Sequence, residues 1–301
     1  MKKNILKRIQ RRIIYFFQRC RWPFYVLRGF EGNNVGDNCS ESLVVSLTSY
    51  PKRIDKVHIV IKSLLMQSKK TDRLILWLAV TDFPKREVEL PSKLTKLKKY
   101  GLEIMWCEDI GSYKKFIPTL KMFPGDVIIT VDDDVFYRKN TLADLCKLHK
   151  EYPECICANR VTKFSLDKSD EFVIESGGYE KWREPSFLNK LTGCAGVLYP
   201  VNSLYKDILD ETIFMKECRT NDDIWFWLMG VLNGTRVIAN SNEEHLLVLS
   251  IPGTQKNIAL SEINDRGEKL FWKDFNAMLL RYPELNIILK KEYERMLAIG
   301  K

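Results

Sequence analysis

Short apolar runs alternate with amphipathic segments through the first half of the chain. The runs are rich in β-branched and aliphatic residues and predict strands at residues 43–49, 73–79, 102–106, 127–131 and 155–159. Apolar positions at helical spacing lie between these runs and predict helices at residues 55–67, 92–100, 113–122 and 141–150. This alternation is typical of an α/β fold with a mostly parallel central sheet flanked by helices. Ligands of such sheets bind beyond the carboxyl ends of the strands, so we expect functional residues directly after strands.

The alternation of strands and helices loosens in the second half of the chain. Residues 161–192 hold few periodic apolar positions and many polar and aromatic ones. Beyond them the pattern predicts a helix at 222–232, a strand at 235–240 and two helices towards the C-terminus. We expect one domain over residues 43–301, whose second half elaborates the sheet that the first half begins.

Positive charge is concentrated at the N-terminus. The chain has 48 Lys and Arg against 39 Asp and Glu, a formal net charge of +9, and residues 1–30 contain nine Lys and Arg and no acid. The rest of the chain is therefore balanced, with 39 charges of each sign. A general nucleic-acid binder would spread basic side chains over its folded surface to neutralise phosphates, so we expect no nucleic-acid partner.

The leader, residues 1–30, is amphipathic when placed on a helix. Its apolar side chains fall on one side: Ile5, Ile9, Ile13, Phe16, Phe17 and Cys20. Its longest uncharged apolar run, 13–17, is far shorter than the roughly 20 residues that cross a bilayer. We therefore expect residues 1–28 to lie on an anionic membrane surface, followed by a polar linker over 31–42. A solvated tail, or a helix docked on a partner protein, is the alternative.

Three carboxylates, Asp132, Asp133 and Asp134, follow the predicted strand at 127–131. Like charges at this spacing repel, and a raised pKa or a bound cation relieves the repulsion. Oxygen ligands favour magnesium or manganese, and a pair of carboxylates leaves coordination positions for phosphate oxygens. On an extended chain Asp132 and Asp134 point the same way and Asp133 is opposed. The alternative is a set of turn and capping aspartates before the next helix.

A second acidic pair, Asp222 and Asp223, precedes an apolar run that predicts a buried helix. Capping of free backbone N–H groups explains one acid at a helix start but does not readily explain two. A carboxylate here is a candidate general base for an attacking hydroxyl. The helix start favours the ionised form, which lowers basicity and opposes that role.

Taken together, these motifs resemble those of bacterial nucleotide-sugar-dependent glycosyltransferases with the glycosyltransferase-A fold. Asp132-Asp133-Asp134 resembles their D-x-D motif, and VVSLTSYPKR at 44–53 resembles their first strand and nucleotide-binding loop. IGSYKKFIPTL at 110–120 is similar to a second nucleotide-contacting segment. GCAG at 193–196 and NDDIWFW at 221–227 are similar to the acceptor loop and the acidic catalytic motif. The resemblance covers about residues 43–260, and its order and spacing are more specific than any single motif.

The resemblance implies a role for each matching residue. Asp223, with Asp222 as the second choice, would be the base of an inverting transfer. Metal ligands would be Asp132, Asp134 and, by analogy with a late histidine of some members, His245. The implied nucleotide-sugar contacts are Thr48, Ser49, Tyr50, Arg53, Lys114, Lys115, Asp132 and Asp133. The implied acceptor contacts are Trp182, Gly193, Cys194, Ala195 and Gly196. An ordinary strand-to-helix turn at 48–53 and solvated lysines at 114 and 115 are the alternatives.

We therefore expect a single glycosyltransferase-A-like domain, with a nucleotide-sugar half at 43–160 and an acceptor half at 161–301. A hexosyltransferase would use Mn2+ or Mg2+ and a nucleotide sugar, UDP-sugar foremost, and transfer to a surface glycan or lipid-linked acceptor. The basic leader favours a peripheral location at the cytoplasmic face of the inner membrane.

Two other classes of protein remain as alternatives. One is a nucleotidyltransferase or a retaining sugar transferase on a similar sheet. Nucleotidyltransferases usually carry a Gly-rich phosphate loop after the first strand, whereas SLTSYPKR contains no glycine. The other is a non-catalytic glycan- or lipid-binding scaffold, which predicts no metal-dependent nucleotide binding and tolerance of Asp134→Ala.

Overall fold

The computed structural model describes residues 41–175, 184–240, 249–254 and 270–299, together with Ile13, Phe16, Cys20, Trp22 and Pro23 of the leader. The five strands predicted in the first half are confirmed with small changes at their ends. They are β1 (Leu43–Thr48), β2 (Arg73–Ala79), β3 (Leu102–Cys107), β4 (Val127–Thr130) and β6 (Ile156–Ala158). Val44, Val45 and Leu47 are fully buried, as expected for a strand covered on both faces.

The central sheet is mostly parallel, as the sequence predicts. Within the described residues it has seven strands in the order β11-β6-β10-β4-β1-β2-β3, where β10 is Val197–Tyr199 and β11 is Val237–Ala239. Every neighbouring pair is parallel except those that β10 makes with β4 and β6. The predicted α/β fold class is therefore confirmed, with one reversed strand near the middle of the sheet.

Helices cover the sheet on both faces. They are α1 (Ile54–Leu65), α2 (Ser92–Thr95), α3 (Ile117–Met122), α4 (Thr141–Glu151), α5 (Glu211–Glu217), α6 (Asp222–Leu232), α7 (Leu270–Arg281) and α8 (Glu284–Ile299). The predicted bounds of α6 are confirmed, as is the presence of two C-terminal helices. Two large apolar clusters lie between the sheet and these helices, one on each face of the sheet.

Two predicted helices are wrong in part. The segment 92–100 forms only the short α2 and a separate 3-10 turn at Lys98–Tyr100. Its lysines recur at i, i+3 spacing, which destabilises a continuous helix. The segment 113–122 divides into a 3-10 turn at Gly111–Lys115 and then α3. Pro118 lies in the first turn of α3, where a missing N–H costs nothing, and it would interrupt a helix running through it.

Small antiparallel sheets occupy a region for which the sequence predicts no elements. β7 (Val161–Leu166) pairs with β8 (Phe172–Ile174) on one side and β9 (Asn189–Leu191) on the other. A separate pair joins β5 (Val135–Phe136) to β12 (Leu249–Ser250). Strands of two or three residues are too short to show alternation. β7 has six residues, but its apolar residues at 161, 164 and 166 do not alternate strictly with polar ones, so the pattern missed it too.

Helix α6 is fixed by indole groups in the core. Trp225 and Trp227 are fully buried, and their Nε1 groups donate to Ile208 O at 3.1 Å and Phe187 O at 2.8 Å. Buried indoles with satisfied N–H groups set both the depth and the rotation of the helix. This packing determines where the two acids at its N-terminus lie.

The predicted leader lies outside the described residues except at five positions. Trp22 packs edge-on against Tyr100 of the folded body, with ring centroids 5.4 Å apart. In the part of the chain that the structure describes, every helix is too short or too polar to span a bilayer.

A buried carboxylate joins the C-terminal helix to the sheet. Glu292 of α8 is 3% exposed and accepts hydrogen bonds from the Phe187 N–H, from Arg236 and from Arg295. Burial alone would raise its pKa, but the hydrogen bonds from Arg295, Arg236 and Phe187 outweigh burial and lower the pKa to about 2.

We expect Glu292→Gln to lower the free energy of unfolding at neutral pH by about 3 kcal/mol, because it leaves two guanidinium groups without their buried counter-charge. The depressed pKa of Glu292 means that its stabilisation is present above the carboxyl's unfolded pKa and is lost as pH falls towards about 2. Urea unfolding over a pH series measures both effects. Glu294→Gln, at an exposed position of the same helix, is the control. Equal midpoints for the two variants at neutral pH would contradict this account.

Candidate active site

The carboxyl ends of β1 and β4 bring the first set of predicted residues together. These strands are adjacent and parallel, so the residues that follow them emerge at one edge of the sheet. Ser49 and Arg53 follow β1, and the three aspartates follow β4. The 3-10 turn at Gly111–Lys115 and the start of α6 complete this edge.

Arg53 pairs with two of the three aspartates. Its Nη1 lies 2.6 Å from Asp133 Oδ1 and 2.9 Å from Asp134 Oδ2, and all three side chains are largely buried. Ser49 Oγ donates to Asp133 Oδ2 at 2.6 Å. Burial lowers the pKa of Arg53, but Asp133 and Asp134 outweigh burial and raise it, so the guanidinium stays charged. Ser49 and Arg53 therefore organise the acidic cluster from within.

Lys115 connects the two acidic motifs. Its Nζ lies 2.9 Å from Asp132 Oδ1 and 2.9 Å from Asp222 Oδ2, and the residue is only 5% exposed. Burial lowers the pKa of Lys115, but Asp132 and Asp222 reverse this and raise it well above the usual range. Asp222 Oδ2 accepts no hydrogen bond of good geometry within the described residues, so its contact with Lys115 is chiefly Coulombic.

The expected alternation of the three aspartates is wrong. Asp134 shares Arg53 with Asp133, whereas Asp132 contacts Lys115. The chain leaves the regular strand at Thr130, so the period of two no longer applies at these positions. The alternative holds in part: Asp133 and Asp134 lie in a turn, but none of the three aspartates caps helix α4, which has no side-chain cap.

Asp223 is the partly exposed acid of the second pair. Its carboxylate accepts from the Gly193 N–H, at 3.2 Å to Oδ1 and 3.1 Å to Oδ2. Burial is the main cause that raises the pKa of Asp223, and the charge of Asp222 raises it further against Lys190 and Lys115. The helix start favours the ionised form of Asp223, as the sequence predicts, but burial and the charge of Asp222 act in the opposite direction and the pKa is raised on balance. A raised pKa makes a carboxylate a better proton acceptor.

Neither acid of the second pair caps the helix in the expected way. Asn221 precedes α6 and donates to Asp274 with its side-chain amide, and no side chain caps α6. Asp222 instead accepts from Ser112 Oγ at 2.8 Å. Both acids of α6 are thus oriented by the turn that carries Lys115 and by the Gly193 backbone.

The acceptor loop predicted at 193–196 lies beside these acids. Ala195 O accepts from Asn159 Nδ2 at 2.9 Å, and Cys194 O accepts from Tyr137 OH at 3.2 Å. Gly196 has a φ of 95°, a conformation that side chains rarely adopt. The loop is therefore held by its own carbonyls against β6 and the segment after β4.

Of the remaining predicted residues, three lie among the described residues and two lie outside them. Thr48 Oγ1 donates to Trp77 O at 2.9 Å, and the Tyr50 ring lies 5.7 Å from the Arg53 guanidinium. Lys114 pairs with Asp109, and the alternative of solvated lysines is wrong, because Lys114 and Lys115 are 3% and 5% exposed. Trp182 and His245 lie outside the described residues.

Sequence reasoning missed three side chains of this site. Lys190 is 8% exposed, and its charge lowers the pKa of Asp223. Tyr137 OH accepts from the Asp132 N–H at 2.8 Å, and Ser112 orients Asp222. Lys190 and Tyr137 lie in no motif, and Ser112 lies in the segment at 110–120 without being singled out there, since its contact with Asp222 forms only through folding.

The divalent cation that the resemblance implies fits the site in chemical kind. Asp132 and Asp134 are the oxygen donors that magnesium and manganese prefer. Among the described residues no group of three or more His, Cys, Asp and Glu side chains is arranged to hold a metal. A cation here would share Asp132 with Lys115 and Asp134 with Arg53, so substrate oxygens would have to complete its coordination.

Comparison with known proteins gives only distant structural likenesses. No family model and no curated protein matches the sequence. The chain is similar to Staphylococcus aureus TarS 1–349, with 16% identity and a TM-score of 0.43, over 67% of this chain and 58% of that one. The same TarS fragment in complex with UDP gives 14% identity and a TM-score of 0.44, again over 67% and 58%. The mannosyltransferase PcManGT from Pyrobaculum calidifontis, in complex with GDP-Man and Mn2+, gives 12% and 0.49, over 95% of this chain and 77% of that one. Likeness at this level assigns neither a family nor an activity to this chain.

Gly193 has no room for a side chain. A Cβ at this position would lie 2.9 Å from Asp223 Oδ1 and 2.9 Å from Lys115 Nζ. We expect Gly193→Ala to displace one of these buried charged groups and to lower the free energy of unfolding by about 1 kcal/mol or more. Chemical denaturation measures the change. Gly125→Ala is the matched control, because a Cβ there meets nothing within 4 Å. If the two variants are equally stable, the close approach at Gly193 carries no cost.

Proposed function

We propose that this protein is a metal-dependent glycosyltransferase of the hexosyltransferase type. It moves a sugar from a nucleotide diphosphate sugar, with UDP-sugar as the first candidate, to a surface glycan or lipid-linked acceptor. The observation that carries the proposal is the position of Lys115 Nζ, 2.9 Å from both Asp132 and Asp222. Sugar transfer needs groups that hold the leaving diphosphate on one side of the anomeric carbon and a base for the acceptor hydroxyl on the other side. Lys115 places the two acidic motifs close enough to serve these two sides.

Asp223 is the proposed base of an inverting transfer. Its carboxylate is partly exposed, its pKa is raised, and the Gly193 N–H holds it in place. It accepts the proton of the acceptor hydroxyl as that oxygen bonds to the anomeric carbon. The bond from the anomeric carbon to the diphosphate breaks, and the electron pair leaves with the diphosphate oxygen. Asp222, engaged by Ser112 and Lys115, orients this region and is the second candidate.

The donor side is formed by the residues after β1 and β4. Asp132 and Asp134 are the proposed metal ligands, with His245 as a further candidate. When bound, a divalent cation would neutralise charge on the departing diphosphate. Tyr50 is partly exposed and is proposed to contact the nucleotide, whereas Ser49 and Arg53 keep the aspartates in position. Thr48, the last residue of β1, is a further proposed nucleotide-sugar contact.

We expect a nucleotide sugar to raise the melting temperature of the protein only when Mn2+ or Mg2+ is present, because two carboxylates alone leave the coordination incomplete. Thermal scans with UDP-glucose, UDP-N-acetylglucosamine and GDP-mannose measure the shift. Asp134→Asn should remove most of the shift, and Asp126→Asn, with a carboxylate before β4, is the control. If no nucleotide sugar raises the melting temperature, or if Asp134→Asn leaves the shift unchanged, the result would favour the alternative of a non-catalytic scaffold.

A transfer assay run beside the thermal screen separates donor binding from sugar transfer. Asp223→Asn should keep the metal-dependent shift and lose transfer by about 100-fold or more, the usual contribution of a general base. Product formation with the donor found in the screen measures the loss. Near-normal turnover in this variant would assign the base to another residue, and transfer with retained anomeric configuration would contradict inversion.

The leader is proposed to bring the protein to the cytoplasmic face of the inner membrane. Nine basic residues and no acid in residues 1–30 favour anionic lipid. We expect removal of residues 1–28 to release the protein from phosphatidylglycerol vesicles in a sedimentation assay and to leave the nucleotide-dependent thermal shift unchanged. Equal sedimentation with and without these residues would reject the lipid role.

A further inference from the structure

An exposed guanidinium group, that of Arg160, lies beside the candidate active site. Arg160 follows β6 by two residues. Strands β6 and β4 run in the same direction, since both are antiparallel to β10, so Arg160 emerges at the same edge of the sheet as Asp132. Its side chain is exposed, and it forms no ion pair with a carboxylate of the described residues.

The guanidinium group of Arg160 donates to a thiol. Its Nη1 lies 3.6 Å from Cys194 Sγ. Burial, together with the charge of Asp132, raises the pKa of Cys194 to about 11, although Arg160 lowers it. The sulfur is therefore uncharged at neutral pH, and a thiol is a weak acceptor. The thiol positions the guanidinium group without supplying a counter-charge.

The backbone of Arg160 is tied to the loop that holds the proposed base. Thr192 N–H donates to Arg160 O at 3.0 Å. The next residue, Gly193, donates its N–H to the carboxylate of Asp223. The relative position of the guanidinium group and the base is thus set before an acceptor arrives, which lowers the entropic cost of binding.

Two other cations of the site already have counter-charges. Arg53 and Lys115 each contact two aspartates at 2.9 Å or less, so a ligand anion would compete with existing ion pairs there. Arg160 binds an anion without that cost. A guanidinium group presents its N–H donors as a fork that matches the oxygens of carboxylate and phosphate, and these charge-assisted bonds are stronger than those to a neutral hydroxyl.

A second positive charge lies close to Arg160. Lys190 is 8% exposed, and its Nζ donates to Leu191 O at 3.2 Å. Burial lowers the pKa of Lys190, Asp223 and Asp222 raise it, and the like charge of Arg160 lowers it again. An anion bound at Arg160 would offset this repulsion between the two cations, whereas a neutral ligand would not.

We propose that the acceptor carries an oxyanion, a phosphate or a carboxylate group, and that Arg160 binds it. Arg160 selects the acceptor, and Asp223 takes the proton of the acceptor hydroxyl. This assignment names the acceptor class of the proposed glycosyltransferase and rests on that function. The oxyanion has two sources, the phosphate of a lipid-linked glycan and the carboxylate of an acidic sugar.

Saturation-transfer NMR on the full chain tests the proposal with methyl glucoside, methyl glucuronide and glucose 1-phosphate as probes. Metal-free buffer keeps the anions from a cation at Asp132 and Asp134. We expect an anionic probe to bind about tenfold or more tightly than methyl glucoside, and Arg160→Gln to remove that preference. Arg160→Lys keeps the charge without the fork and should retain part of it. Arg281→Gln, at an exposed position of α7, is the matched control.

The transfer assay gives a second readout. With the donor found in the nucleotide screen, Arg160→Gln should raise KM for an anionic acceptor by about tenfold and leave kcat nearly unchanged, because the binding lost is the same in the ground state and the transition state. The metal-dependent thermal shift with the nucleotide sugar should stay the same. Arg160 is exposed and makes one weak hydrogen bond, so we expect the variant to fold as stably as the parent.

Three outcomes would overturn the proposal. They are anion binding that is insensitive to Arg160→Gln, equal binding of neutral and anionic probes, and equal weakening of both kinds of probe in the variant, which would make Arg160 a structural residue. Tighter binding of glucose 1-phosphate would support the phosphate source, and tighter binding of methyl glucuronide the acidic sugar. Failure of the nucleotide screen beside Arg160-dependent anion binding would reject the transferase and leave the oxyanion site, so the two failures are distinguishable.

Discussion

One buried ammonium group, that of Lys115, joins two acidic motifs that are about ninety residues apart in the chain. A buried lysine without counter-charges would cost several kcal/mol, and so would the carboxylates without a cation. The lysine and the two carboxylates therefore require one another. The 2.9 Å contacts of Lys115 with Asp132 and Asp222 set the distance between the end of β4 and the start of α6. The close fit of Gly193 against Lys115 and Asp223 is a consequence of that arrangement.

Pairing of one buried charge with two charges of opposite sign recurs at three places among the described residues. Arg53 is matched to Asp133 and Asp134, Lys115 to Asp132 and Asp222, and Glu292 to Arg236 and Arg295. The first two lie at the edge where a reaction is proposed, and the third joins α8 to β11. Arg53, Lys115 and Glu292 are each buried, and the low exposure of these three groups strengthens the pairing, although Arg236 and Arg295 are themselves more than a third exposed. The indoles of α6 give the clearest example, since they fix the helix whose first turn carries Asp222 and Asp223.

Much of the first half could be predicted from local pattern. After the exposed Arg73, the strand at 73–79 is a continuous apolar run, and the burial of both faces makes that pattern clear. The helix at 222–232 is as readily found from its apolar run. The strands after residue 160 could not be found, because β8 and β9 have only three residues each and the six residues of β7 do not alternate regularly between apolar and polar. Pro118 explains the break in the predicted helix at 113–122 and was visible in the sequence, although the periodic pattern outweighed it.

The sequence by itself determined the α/β class, the order of most elements and the presence of acids directly after a strand and before a helix. These properties depend on neighbours in the chain, which the pattern records. Only the tertiary structure decided which cation each acid meets, that Asp134 pairs with Arg53 and Asp132 with Lys115, and that burial raises the pKa of Asp223. The physical reason is that electrostatic partners and desolvation depend on distances across elements far apart in sequence, and local periodicity carries no information about them.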